Sequence, residues 1–338
     1  MKPVWRITCN DSDITDKLKD RLLNLNVKDE AGMKSDTLDL QLDDRDYECP
    51  IPPAKGILKV WLGWGSPEYM GTYVIDEIGI KGNAKTMTIR AKASETAPGY
   101  KSPHTHSFDE TNVKEIVETI AARHGLTPLV DSKFAGDLIT HIDQVEESDA
   151  HFLSRLAKEY SAIAKPANDK LLFHEKDSEA TPSGSGKPVI KVLATETKDW
   201  KATLTDRSDY KEVQAKWMNH ETGLEEWLVV ANDSTTGQSY KEKKLFPTRA
   251  EAKEAASSKL KQMTQGKLSV DFTLATGDPT IFAEGQISFS GFRSPVNGKQ
   301  LPIRSVSHKL DASGYTTAVN CSEKAPAVSE KESSDGGG

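Results

Sequence analysis

"YVIDEIGIKGNAKTMTIRAKA" spans residues 73–93, and "PIRSVSHKLDASGYTTAVNC" spans residues 302–321. Each is an apolar-alternating run, a polar turn containing Gly, and a second alternating run. A period of two marks a half-buried strand, so each stretch predicts an antiparallel hairpin. The elements ahead of the two hairpins also correspond. "TLDLQL" (37–42), a proline-rich gap and "ILKVWLGW" (57–64) precede the first, and "LSVDFTL" (268–274), "ATGDPTIFAE" (275–284) and "GQISFSGF" (285–292) precede the second. One order written twice predicts a doubled β domain. The rival reading is two unrelated antiparallel sheets whose hairpins look alike, as hairpins generally do.

Within the first β run, Leu38, Leu40 and Leu42 share one face and Asp39 and Gln41 the other, while Leu58, Val60 and Leu62 alternate against Lys59 and Trp61. Between them "DRDYECPIPPAKG" is too rich in proline for a central strand. The pattern changes near residue 96. "TAPGYKSPHTHSFDE" reads as a loop, and "TNVKEIVETIAARHG" places Val113, Ile116, Val117, Ile120 and Ala121 at helical spacing. Thr111 is a candidate cap and Gly125 a stop for that helix. "DLITHID" predicts a strand, and "SDAHFLSRLAKEYSA" a second helix buried through Phe152, Leu156, Ala157 and Tyr160. "KLLFHE" and "PVIKVL" are further strands around the solvated loop "KDSEATPSGSGK".

β character returns after "TDRSDYKEV", with "EVQAKWM" and "EEWLVVA" as a hairpin around "NHETGL". "PTRAEAKEAASSKLKQM" predicts a helix, with Thr248 and Glu251 as a capping box. The fold class is α+β, mainly β. Two similar antiparallel barrel-like β domains, at 1–95 and 201–323, flank an α+β segment at 96–200. Residues 324–338 are too polar to pack and predict a disordered tail.

Hydrophobic residues make up 36% of the 338 and charged residues 28%, enough for two or three cores. No apolar run approaches the ~20 residues that span a bilayer, and the N-terminus lacks the apolar stretch of a secretory signal. No membrane partner is expected. A net charge of −7 argues against general nucleic-acid binding, which needs a basic face. Cys9, Cys49 and Cys321 are widely spaced and odd in number, which reads as reduced thiols; a disulfide between two of them stays open as an alternative.

Several stretches carry a specific resemblance. "SDTLDLQLDDRD" (35–46) with "GTYVIDEI" (71–78), "ITHIDQVEESDAHFLSRLAKEYS" (139–161), "TDRSDYKEVQAKW" (205–217), "FPTRAEAKEAASSKL" (246–260) and "RSVSHKLDASGYTTAVNCS" (304–322) fall in one order. In that order the chain resembles the late control D family of contractile-tail phages, the hub proteins at the centre of the baseplate. It is more distantly similar to the hub portion of the type VI secretion spike protein. The resemblance implies a homotrimer in which each chain gives two tube-forming β domains. Three chains would then present six similar units around a channel and adapt a six-fold tail tube to a three-fold spike. The implied partners are the spike, the tube or its initiator, and other baseplate proteins, with DNA passing through the channel in a phage. The implied place is the virion tail, assembled in the host bacterial cytoplasm.

No catalytic, cofactor or metal residue is assigned. His141 and His151 with Asp143, Glu146, Glu147 and Asp149 resemble a divalent-ion cluster, but Ser148 or Asp149 capping a helix explains the same letters. His104 and His106 read as polar loop residues before a weak metal site. Cys49 precedes a proline with no evident base, which argues against a thiol nucleophile. Trp5, Trp61, Trp64, Trp200, Trp217 and Trp227 read as core or interface aromatics rather than sugar platforms. Two other function classes remain: a tail-tip peptidoglycan hydrolase, which needs a carboxylate pair across a sugar cleft, and a glycan-binding module in the middle segment.

Overall fold

The computed structural model describes residues 2–32, 35–93, 99–136, 138–167, 170–178, 186–205, 210–234 and 236–331. In chain order the first stretch forms β1 (Pro3–Cys9), β2 (Ser12–Asp13), α1 (Thr15–Leu18), β3 (Leu22–Glu30), β4 (Thr37–Asp43), β5 (Ile57–Trp64), β6 (Ser66–Lys81) and β7 (Thr86–Ala93). The second forms β8 (Pro103–Thr111), α2 (Val113–Arg123), β9 (Thr127–Val130), β10 (Ile139–Ser148), α3 (Asp149–Glu159), β11 (Ala162–Ala167) and β12 (Lys170–Glu175). Then come β13 (Val189–Leu193), β14 (Thr197–Leu204), β15 (Tyr210–Asn219), β16 (Leu224–Asn232), β17 (Gln238–Phe246) and α4 (Arg249–Thr264). The last stretch forms β18 (Leu268–Leu274), β19 (Gln286–Ser290), β20 (Gln300–Asp311), β21 (Gly314–Ser322) and β22 (Val328–Lys331).

These elements pack into two units. One gathers Met1–Ser94, Pro188–Thr203 and Ser269–Ser322; the other gathers Glu95–Lys187, Leu204–Leu268 and Glu323–Gly338. The unit limits at Ser94 and Ser322 lie within a residue of the expected 95 and 323, whereas in place of one boundary at 200 the limits fall at Lys187, Thr203 and Leu268. Residues 204–268 have an apolar sheet face of their own, Val213, Ala215, Leu228 and Val230, covered by Ala252, Ala256 and Leu260 of α4. Adjacency in sequence assigns them to the second β run; packing does not.

The first unit is one 13-stranded sheet in the order β14-β18-β21-β20-β3-β4-β7-β6-β5-β1-β2, with β13 on β19 and β19 on β20. Leu38, Leu40, Leu42, Leu58, Val60 and Leu62 are all buried, as their alternation predicts. Each contributes roughly 1.5–3 kcal/mol by leaving water. The doubling is visible strand by strand. β3-β4-β7-β6-β5 on one side answers β14-β18-β21-β20-β19 on the other. A bulge interrupts β6 between Ile75 and Glu77, opposite Ala91 and Arg90, and one interrupts β20 between Ile303 and Ser305, opposite Cys321 and Asn320.

The same glycine also recurs. Ile75 N–H donates to Gly56 C=O at 3.0 Å, and Ile303 N–H donates to Gly285 C=O at 3.0 Å. A Cβ at Gly56 would stand 3.0 Å from the Pro53 oxygen and 3.2 Å from Ile75 Cδ1; at Gly285 it would stand 3.1 Å from the Phe282 oxygen and 3.3 Å from Ile303 Cδ1. Two unrelated sheets would not share a bulge and a glycine in one register. The correspondence ends at the next strand, since β1 meets β5 antiparallel whereas β13 meets β19 parallel.

In the second unit β8 and β10 pair antiparallel, β9, β11 and β12 form a three-stranded sheet, and β15, β16, β17 and β22 a four-stranded one. α2 and α3 bury the residues their spacing predicts, and Phe108 stacks on Phe152 with centroids 5.6 Å apart. Three expectations change here. The cap of α2 is Asn112, whose side chain accepts from Glu115 N–H at 3.0 Å, while Thr111 bonds the Glu115 carboxylate instead. Residues 103–111 form a strand and not a loop, because their backbone pairs with β10; 94–98 lie outside the described residues. In the tail, Val328–Lys331 adds to the edge of β16, which needs backbone hydrogen bonds and no apolar run; 332–338 lie outside the described residues.

Candidate functional site

The His and carboxylate cluster picked out by sequence sits where β8, β10 and the start of α3 meet. Ser148 caps α3, its side chain accepting from His151 N–H at 3.2 Å. Asp149, the first helical residue, is fully buried. Arg123 donates to its Oδ1 at 2.7 Å, Gln144 to the same oxygen at 3.0 Å, and His124 Nε2 lies 2.7 Å from Oδ2. Burial alone would raise the Asp149 pKa, but hydrogen bonds from Gln144, His124 and Arg123 hold it below the usual carboxylate range.

The neighbouring groups are committed to one another in the same way. His141 Nδ1 is 2.5 Å from Asp109 Oδ1 and its Nε2 is 3.1 Å from Asp143 Oδ2, and this pair of carboxylates raises the imidazole pKa. Glu147 binds Arg155 at 2.9 Å and also meets His151. Five of the six residues of the candidate metal cluster are thus divided among separate local groups, and Glu146 is tied through its backbone, its N–H donating to the Thr105 hydroxyl at 3.1 Å. Among the described residues no three His, Cys, Asp or Glu side chains converge in metal-binding geometry. His104 and His106 are also divided. His104 approaches Asp149 Oδ1 at 3.1 Å, and His106 packs edge-on to Phe108.

Cys9, Cys49 and Cys321 are free thiols, and burial raises the pKa of each, which opposes the thiolate form. Trp5, Trp64 and Trp217 pack against cores. Trp61 lies under the Arg6 guanidinium, and the Trp227 ring is approached by Lys216 at 5.1 Å and Lys241 at 5.4 Å. A cleft of about 260 Å³ in the second unit is lined by His141, Asp143, Arg155, Tyr160, Lys244 and Glu251 among others. Glu251 bonds the Thr248 hydroxyl at 3.2 Å, and Lys244 reaches Glu159 at 3.6 Å. The arrangement suits holding elements together by ion pairs.

What single-residue reading misses is an edge. β14 ends the 13-stranded sheet, and Trp200 and Leu204 on it are exposed. The end of β6 carries an exposed Ile80, at 52%. The signal in the sequence is that the apolar Ile78 and Ile80 resume an alternation after Asp76 and Glu77, beyond Val74, where pairing with β5 stops. An apolar strand edge of this kind is a template for pairing.

Known proteins share this architecture. A probable baseplate hub protein of Escherichia phage 186 is 29% identical over 99% of this chain and 96% of its own. The 43 kDa tail protein of prophage MuSo2 from Shewanella oneidensis superposes with a TM-score of 0.69 at 13% identity, over 94% of this chain and 98% of that one. The E. coli c3393 protein, a type VI secretion component described as similar to the T4 tail proteins gp27 and gp5, gives 0.52 at 14% identity, over 89% and 73%. The phage tail baseplate hub (GPD) family matches residues 80–314, from the end of β6 to the start of β21, and the chain belongs to that family.

Proposed function

We propose that this baseplate hub protein works as a trimeric ring whose two repeated β halves supply six near-equivalent positions. The observation that carries the reading is the repeat itself, with one strand order, one bulge and one glycine written twice. A six-fold partner needs six similar surfaces, and a three-fold assembly supplies them when each chain carries two. The six-fold partner is the tail tube or its initiator, and the three-fold partner is the spike. Assembly takes place in the host cytoplasm before the tail is complete.

The mechanism is shape and symmetry matching with no turnover. Supporting this, the polar side chains of the His and carboxylate cluster are spent on one another, and the thiols are biased toward their neutral form. One face of the repeated sheet carries Asp39, Gln41 and Arg90 in the first half and Asp271, Thr273 and Asn320 in the second. A polar face of this sort suits the wall of a water-filled channel. Light scattering on the purified protein, with low-resolution imaging alone and mixed with its spike, tests the reading. A three-fold ring with six lobes is expected; a particle of any other symmetry would overturn it.

A further inference from the structure

One half of the repeat has a neighbour that the other lacks. β20 is held on one edge by β21; on the opposite edge β19 takes Gln300–Pro302 and β3 takes Ser305–Asp311. β6 is held on one edge by β7, and β5 takes Ser66–Val74 of the opposite edge. Among the described residues no strand takes the rest of that edge, Glu77–Lys81. By the shared bulge Glu77, Ile78, Gly79 and Ile80 answer Ser305, Val306, Ser307 and His308. His308, with β3 on that edge, is 1% exposed, whereas Ile80, with no strand on that edge among the described residues, is 52% exposed.

The counterpart of β3 is β14, the neighbour of β18 as β3 is of β4. Thr205 N–H donates to Lys267 C=O at 2.8 Å and Ala275 N–H to Glu196 C=O at 3.0 Å, so β14 carries one extra residue against β18, as β3 does against β4 between Leu22 and Asn24. With the slip at the matching place, counting back from Thr205 sets Ala202 opposite Val270 and Trp200 opposite Phe272. Those are the places of Val27 opposite Leu38 and Leu25 opposite Leu40. Val27 and Leu25 are buried between two strands, while Trp200 stays exposed on a strand with one.

We propose that β14 of one copy pairs antiparallel with Glu77–Lys81 of β6 in the next copy, reproducing between chains the ladder that β3 and β20 make within one. The register sets Gly79 opposite Thr203, Ile80 opposite Ala202 and Ile78 opposite Leu204, so the exposed Ile80 lies diagonal to the exposed Trp200 and Leu204 on one face. Each chain offers one edge of each kind, a heterologous contact that closes on itself in a ring. The inference rests on the trimeric reading above and names its joint.

Paired cysteines test it. Ala31 N–H donates to Arg304 C=O at 2.8 Å, which makes Lys28–Ser307, and by correspondence Thr203–Gly79, a non-hydrogen-bonded pair. Such pairs hold Cα atoms about 4.5 Å apart, within reach of a disulfide. A Cβ at Gly79 meets nothing within 4 Å. In a Cys9→Ser background, Gly79→Cys with Thr203→Cys should give covalent dimers and trimers on oxidation, lost on reduction, and each single variant only monomer. As a second probe, Ala202→Pro removes an N–H that points away from β18, because Thr205 N–H points toward it. This variant should keep its circular dichroism and sediment as a monomer. A trimer that does not cross-link, or a trimeric Ala202→Pro, would overturn the joint and leave the ring intact. Monomeric wild-type protein, alone and with its spike, would overturn both.

Discussion

Nδ1 of His308 lies 2.9 Å from the Tyr315 hydroxyl, across neighbouring strands of the second β half. Nε2 of the same ring lies 3.1 Å from the Ile281 carbonyl, a pattern that a neutral imidazole donating from Nε2 satisfies. Burial pushes the His308 pKa down to about 4. Between that value and the ordinary 6.5 the unfolded chain binds a proton that the folded chain does not, so stability rises with pH across this window. The contribution is complete above pH 6.5 and declines as pH falls toward 4, by on the order of 3 kcal/mol in all. Urea unfolding from pH 7.5 to 4 should show this slope, and His308→Gln should flatten it. An unchanged slope in the variant would assign the effect elsewhere.

Asp149 predicts a loss of a different kind. Asp149→Ala leaves Arg123, Gln144 and His124 without their shared acceptor, and Gln144 and His124 are themselves buried. Removing one partner from a buried charged network costs about 3–5 kcal/mol, and the part-exposed Arg123 puts this case toward the lower end. Because the carboxyl is held below its usual range, its contribution is present above about pH 4 and is lost only at more acid pH. Thermal melts at pH 7 should show the α+β unit of Asp149→Ala melting first, with Asp149→Asn between it and wild type. Equal melting of all three would sink the network as a source of stability.

The repeat was legible because a period of two survives loss of identity. Leu38, Leu40 and Leu42 against Val270, Phe272 and Leu274 share a spacing, with the residue type kept only at the last pair. Other features were hidden for physical reasons. β8 carries "PHTHSFDET", in which Phe108 and Thr111 alone are buried, so no alternation marks it as a strand. β13 pairs with a strand almost a hundred residues later, and no local pattern carries that partnership. The acidic cluster at 141–151 was legible as composition, but its division into separate pairs depends on which way each side chain turns after the bulge between Gln144 and Glu147.

Gly56 and Gly285 predict matched costs. Alanine at either forces a Cβ to within about 3.0–3.3 Å of a carbonyl oxygen and an isoleucine methyl, tighter than ordinary contact. Overpacking of this kind costs roughly 1–3 kcal/mol. Gly56→Ala and Gly285→Ala should lower the unfolding midpoint by similar amounts, and Gly79→Ala, with open space around it, by far less. Calorimetry on the three variants checks this; a cost at one glycine and none at the other would break the equivalence of the two halves.

Truncation after Ala327 is the most direct test of the tail. It removes β22, which pairs Val328–Lys331 with Val229–Asn232, and the Glu330 carboxylate that binds Arg249 at 2.7 Å at the start of α4. The ion pair is open to solvent on its Arg249 side and adds little, about 1 kcal/mol at most. The strand matters more, because without it β16 presents an open edge and Val328 no longer packs against the core beneath α4. The truncated protein should show faster amide exchange in β16 and earlier proteolysis within 204–268, with the 13-stranded sheet unaffected. Exchange in β16 equal to the full chain's would mean that the tail contributes nothing and that the pairing at Val328–Lys331 does not persist in solution.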